Sequence, residues 1–148
     1  MSQKTSAPSD TPEALRLDNQ LCFALYGAAN RMTRLYRPML DALGLTYPQY
    51  LAMLVLWERS PRTVGALGDA LDLDSSTLTP LLKRLEAGGL VERRRDPEDE
   101  RRVIVALTDK GRALRDQAVN VPEKLFCALD MPLEAIGTLR ERLKTLAK

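Results

Sequence analysis

DSSTLTPLLKRLEAGGLVERRRDPEDERRVIVALT, residues 74–108, is the stretch on which the fold is decided. Asp74 and Ser75-Ser76 are good N-capping residues, and Leu78, Leu81, Leu82 and Leu85 then fall on one face of a helix. Ser76, Thr79, Pro80 and Lys83 project from the opposite face at about 100° per residue. Gly88-Gly89 ends that helix. Leu90–Arg93 and Val103–Leu107 read as two strands around the charged turn 96–100. Upstream, Val64, Leu67 and Leu71 predict a short helix over about Val64–Ala70, separated from the second by Leu71-Asp72-Leu73. The pair reads as helix-turn-helix, and with the hairpin it makes a winged helix.

Further out, Gln49–Glu58 is apolar enough for a buried helix, with Trp57 read as core and Tyr47-Pro48 disfavouring helix at Tyr47. Leu15, Cys22, Leu25, Ala29, Met32, Tyr36, Met39 and Leu43 recur three or four apart, interrupted only by Asp18 between the first two, and predict one long amphipathic helix, which Pro38 should kink or cut and Gly44 should stop. Downstream, Thr108 can cap a long helix to about Leu129 with a bend at Pro122, and a last amphipathic helix follows Pro132. Residues 1–12 read as a flexible tail, and 13–148 as one domain with its winged helix at about 46–108. The fold class is therefore mainly α with a small β-hairpin wing.

Composition limits the chemistry. In 148 residues there are 22 Lys+Arg, 20 Asp+Glu and no histidine. A Ser-His-Asp or Cys-His centre and His-containing zinc sites are thereby excluded. Cys22 and Cys127 form no C-x-x-C pair, and the eight glycines make neither G-x-G-x-x-G nor a P-loop. No metal or cofactor is expected, and an enzyme is disfavoured. No apolar run approaches the roughly 18 residues of a membrane span, so the expected location is the cytoplasm, with no membrane partner. The net charge of only +2 does not oppose DNA binding, because local cationic clusters set the electrostatic footprint.

Those clusters sit on the hairpin: Arg93, Arg94, Arg95, Arg101 and Arg102 among Asp96, Glu98, Asp99 and Glu100. An arbitrary charge run is usually a solvated tip. Directly after a helix-turn-helix, the hairpin is well placed to put arginine into a minor groove while the second helix enters the major groove. The expected partner is double-stranded operator DNA, contacted by Ser75, Ser76, Thr77, Thr79, Pro80, Lys83, Asp99, Arg101 and Arg102.

From about Leu15 to Leu146 the chain closely resembles the MarR family of winged-helix repressors, most specifically in DPEDERRVIVALT (96–108), which matches that family's D-x-R wing signature. The resemblance implies that Asp99 orients Arg101, and that the N- and C-terminal helices, about 14–44 and 109–147, build a homodimer. LDNQLCFALY (17–26), LTYPQY (45–50) and STLTPLLKRL (76–85) look like the organic hydroperoxide resistance regulators, which are thiol-based peroxide sensors. By that resemblance Cys22 is the peroxide-reactive thiol, Tyr36 and Tyr47 hydrogen-bond it, and Cys127 resolves it. The implied inducers are organic hydroperoxides.

The residues alone leave Cys22 open. A cysteine on an apolar helix face is more often a small packing hydrophobe than a sensor, and Asp18, one turn earlier, opposes a thiolate. Tyr36 lies 14 residues on, about 21 Å along a continuous helix, so its contact with Cys22 would have to come from a partner subunit. Phe23, Tyr26, Met32 and Tyr36 would form an apolar pocket or a dimer core. Sulfenic acid at Cys22 could condense with Cys127, and Cα atoms more than roughly 7 Å apart would force helices to move. Two alternatives stand beside the redox repressor. One is a repressor released by a small lipophilic or phenolic ligand, with incidental cysteines; the other is a thiol peroxidase, for which a D-x-R wing has no use.

Overall fold

In the computed structural model, residues 11–147 are described; residues 1–10 of the expected tail lie outside them. The chain divides into two compact units, Met1–Arg34 and Leu35–Lys148. Single 3-10 turns at Glu13–Leu15 and Leu17–Asn19 precede α1, Leu21–Asp41. The long helix expected from Leu15 therefore starts six residues later. Side chains explain it: Asn19 Nδ2 donates to the Glu13 carbonyl at 2.8 Å, and Gln20 Nε2 donates to the Ala14 and Arg16 carbonyls at 2.9 and 2.8 Å. Such bonds compete with helical ones, and Gln20 itself is extended. Pro38 does not cut α1, and Gly44, at φ 69°, follows its end as expected.

Helix α2, Tyr47–Glu58, begins at Tyr47 and not at Gln49. Thr46 Oγ1 accepts from the Gln49 N–H while Gln49 Oε1 accepts from the Thr46 N–H, and this capping box outweighs the restriction before Pro48, whose missing N–H is unneeded in a first turn. Next come β1 (Arg62–Thr63), α3 (Val64–Leu71) and α4 (Ser75–Ala87). Strand β2 (Val91–Arg95) pairs antiparallel with β3 (Val103–Leu107), with Arg93 opposite Val105. The sheet has three strands in the order β1-β3-β2, one more than the expected hairpin. A two-residue strand carries no readable period, but the unbroken apolar run Val103–Leu107 suits a central strand.

The single long helix expected after Thr108 is two: α5 (Asp109–Ala118) and α6 (Val121–Ala128). Pro122, at the start of α6, breaks the path where a bend was expected, because it has no N–H for the Ala118 carbonyl. Helix α7, Leu133–Leu146, ends the described chain. The core gathers Tyr50, Met53 and Leu56 of α2, Leu67 of α3, Leu78, Leu82 and Leu85 of α4, and Val91 and Val105 of the sheet. Each such side chain contributes about 1.5–3 kcal/mol on burial. Trp57 is only half-buried and donates from Nε1 to the Gly111 carbonyl at 2.9 Å, so it is a tie to α5 as well as core. Among the described residues no helix is long and apolar enough to cross a membrane.

Candidate functional site

The leucines that bury one side of α4 determine what the other side presents. Leu78, Leu81, Leu82 and Leu85 are buried, while Ser75, Ser76, Thr77, Pro80 and Lys83 are exposed and Thr79 is half-buried. Asp74 caps the helix, accepting from the Thr77 N–H at 2.8 Å and the Ser76 hydroxyl at 2.7 Å. These bonds, led by that from Ser76, hold its carboxyl below the usual range. Pro80 is the sixth helical residue, past the turn whose N–H groups need no partner, so it does cost a helical bond.

The wing tip is held by two aspartates. Asp99 Oδ1 accepts from the Arg101 backbone N–H at 3.1 Å and from Arg101 Nε at 3.2 Å, which leaves the Arg101 side chain 92% exposed. Both bonds, the backbone one first, lower the Asp99 pKa. Asp96 carries no role in the sequence reading, yet it is a buried charged residue, 8% exposed. It binds Arg102 at 2.9 Å through Oδ2, accepts from the Glu98 N–H at 2.9 Å, and closes the ribbon by donating from its own N–H to the Arg102 carbonyl at 3.0 Å. Arg102 is thus the half-exposed anchor of the tip, and Arg101, paired with Asp99, its exposed cation. The D-x-R spacing reveals the second pair but gives no sign of the first.

The tyrosines expected to serve the thiol meet each other in the second unit. Tyr36 and Tyr47 have ring centroids 5.0 Å apart, Tyr50 lies 5.8 Å from Tyr36, and Trp57 meets Tyr50 edge-on at 6.5 Å. Burial, then the neighbouring Tyr47 and Tyr50, pushes the Tyr36 phenol up to about 12. Tyr50, which sequence reasoning did not single out, is raised by burial and by Tyr47. These hydroxyls keep their protons at neutral pH and can donate. Cys22, the second residue of α1, and Cys127, on α6, are both free and exposed. Among the described residues no cluster of potential ligands could hold a metal ion.

Residues 34–118 match the family described as transcriptional regulator SarA/Rot. The chain is 47% identical over 132 residues to the organic hydroperoxide resistance transcriptional regulator of Bacillus subtilis, covering 89% of this chain and 90% of that one. It belongs to the MarR-type winged-helix transcriptional regulators. Within them its kinship is with the organic hydroperoxide resistance type. Two solved structures of AbfR of Staphylococcus epidermidis extend the likeness of this MarR-type chain. Reduced AbfR bound to DNA is 40% identical with a TM-score of 0.74, covering 91% of this chain and 94% of that one. Disulfide-formed AbfR is 41% identical with a TM-score of 0.65, covering 92% and 96%.

Proposed function

We propose that this chain is a redox-controlled repressor whose reduced homodimer holds operator DNA and whose oxidation by an organic hydroperoxide releases it. The observation that carries the reading is that both cysteines of a MarR-type regulator are free and exposed, where a packing thiol would be buried. Relatives solved reduced on DNA and as a disulfide support it. Cys22 lies in the first turn of α1. Its thiolate attacks the distal oxygen of the hydroperoxide, giving Cys22 sulfenic acid and, after one proton, the alcohol. The thiolate of Cys127 in the partner subunit then attacks the sulfenic sulfur, forming the disulfide and expelling hydroxide, which leaves as water. Tyr36 and Tyr47 of the partner subunit donate hydrogen bonds to the sulfur. On DNA, Ser75, Ser76, Thr77, Thr79, Pro80 and Lys83 meet the major groove, and Arg101, aimed by Asp99 and backed by Arg102, meets the minor groove.

Mobility shifts with reduced protein, and after stoichiometric cumene hydroperoxide, test this reading together with non-reducing electrophoresis. Release of DNA should accompany a covalent dimer that disappears in Cys22→Ser and in Cys127→Ser. Peroxide release that persists in Cys22→Ser overturns the redox reading, and a disulfide confined to the monomer band overturns the intersubunit pairing.

A further inference from the structure

The recognition helix and the wing are joined by a contact that neither DNA-facing surface contains. Glu86, in the last turn of α4, reaches β2 and accepts twice from one residue: Oε2 from the Arg93 backbone N–H at 2.9 Å, and Oε1 from the Arg93 guanidinium at 3.3 Å. Strand β2 is an edge strand, paired only with β3, so nothing else in the sheet secures that outer side. The clamp also exacts a cost. Arg93 is drawn in until its side chain is 22% exposed, and its Nε is buried with no partner among the described residues. A buried donor left unsatisfied is unfavourable.

The root of the ribbon is pinned separately, by the Leu90 N–H on the Leu85 carbonyl and the Thr108 N–H on the Leu90 carbonyl. On its inner side β3 is also held by β1, through Arg62 opposite Val105 and Thr63 opposite Ile104, whereas β2, the other strand of the ribbon, has no strand on its outer side. The clamp holds it farther out, at the residue opposite Val105. A swing of about 10° there would carry a tip roughly 15 Å away through about 3 Å, more than a hydrogen bond tolerates.

We propose that Glu86 is a positioning residue for DNA binding: with Arg93 it fixes the angle between α4 and the wing, so that Arg101 reaches its groove while the recognition helix occupies its own. The proposal rests on the reading of Arg101 as a groove contact. Operator titrations of the reduced full chain should show about a tenfold loss for Glu86→Ala. Glu86→Gln, which keeps an acceptor for the Arg93 N–H, should recover most of it. In an Arg101→Ala background, Glu86→Ala should cost less than about twofold more, because the clamp acts through that arginine. Wild-type affinity in Glu86→Ala, or additive losses in the double variant, overturns the proposal. If Arg101→Ala alone binds as wild type, the groove reading has failed, and the clamp is judged directly. Spin labels at Lys83→Cys and Glu98→Cys, in Cys22→Ser/Cys127→Ser protein, should give a distance distribution that broadens in Glu86→Ala and narrows again in Glu86→Gln. An unchanged width overturns it.

Discussion

Tyr36 shows how burial can prepare a side chain for a role. Its phenol is pushed up to about 12 by desolvation and by Tyr47 and Tyr50, so the folded state resists ionisation where an unfolded tyrosine ionises near 10. The sign follows from linkage. Below pH 10 both states are protonated and the shift has no effect; between about 10 and 12 only the unfolded state gains from ionising, and stability falls as pH rises. Absorbance titration of the four tyrosines should therefore show one delayed to about pH 12 and missing in Tyr36→Phe, which should also flatten the alkaline loss of stability. Two tyrosines titrating late in Tyr36→Phe would contradict this assignment. The wing shows how far single residues can be read. Asp99 and Arg101 meet two positions apart, and that spacing is legible. Asp96 and Arg102, or Glu86 and Arg93, meet only because a turn or a helix-to-strand junction folds them together.

Two helices were legible from the cap that starts them. Asp74 and Thr108 each accept from a backbone N–H three residues on, a signal written in adjacent residues; Thr46 and Thr63 do the same, but those two caps were not read, and α2 starts two residues before the expected Gln49. The start of α1 was not legible, because its apolar period continues back to Leu15 while Asn19 and Gln20 side chains capture the backbone in 3-10 turns. The junction of α5 with the wing root depends on a glycine whose role no pattern displays. A Cβ at Gly111 would collide with the Leu90 carbonyl oxygen, and beside it Thr108 donates to the Gly89 carbonyl at 2.6 Å and Lys110 to the Gly88 carbonyl at 2.8 Å. Since the obstacle is backbone, Gly111→Ala should destabilise the fold by about 1–3 kcal/mol in urea unfolding. A midpoint equal to wild type would mean that α5 shifts freely. Gly137, whose Cβ would meet nothing, should accept alanine without loss.

At the scale of the whole molecule, the apolar faces of the terminal elements lack cover in a single chain. Helix α7 buries no residue, and Leu133, Leu139, Leu143 and Leu146 are exposed; near the N-terminus, Leu15, Leu21, Phe23 and Tyr26 are exposed as well. Apolar surface of that extent on a regulator suits a second copy. A two-fold dimer reading major grooves with paired α4 helices requires half-sites about 10 bp apart centre to centre. Inserting about 5 bp between the half-sites should turn one to the opposite face of the duplex and abolish tight binding. Retained affinity would show that each chain binds alone.

The sequence by itself determined the winged-helix order, the leucine face of α4 and hence its polar face, the caps at Asp74 and Thr108, the charged wing and the two thiols. All of these depend on residues within a turn or two of one another, where helical period, capping and turn chemistry operate. Only the tertiary structure decided that β3 is a central strand, that Asp96 is the buried anchor, that Trp57 ties α2 to α5, that Tyr36, Tyr47 and Tyr50 form one cluster, and that Glu86 clamps the wing. Those contacts join residues from 3 to 54 positions apart. Most cross an element boundary, and all depend on which faces the core brings together, a quantity that no local period encodes.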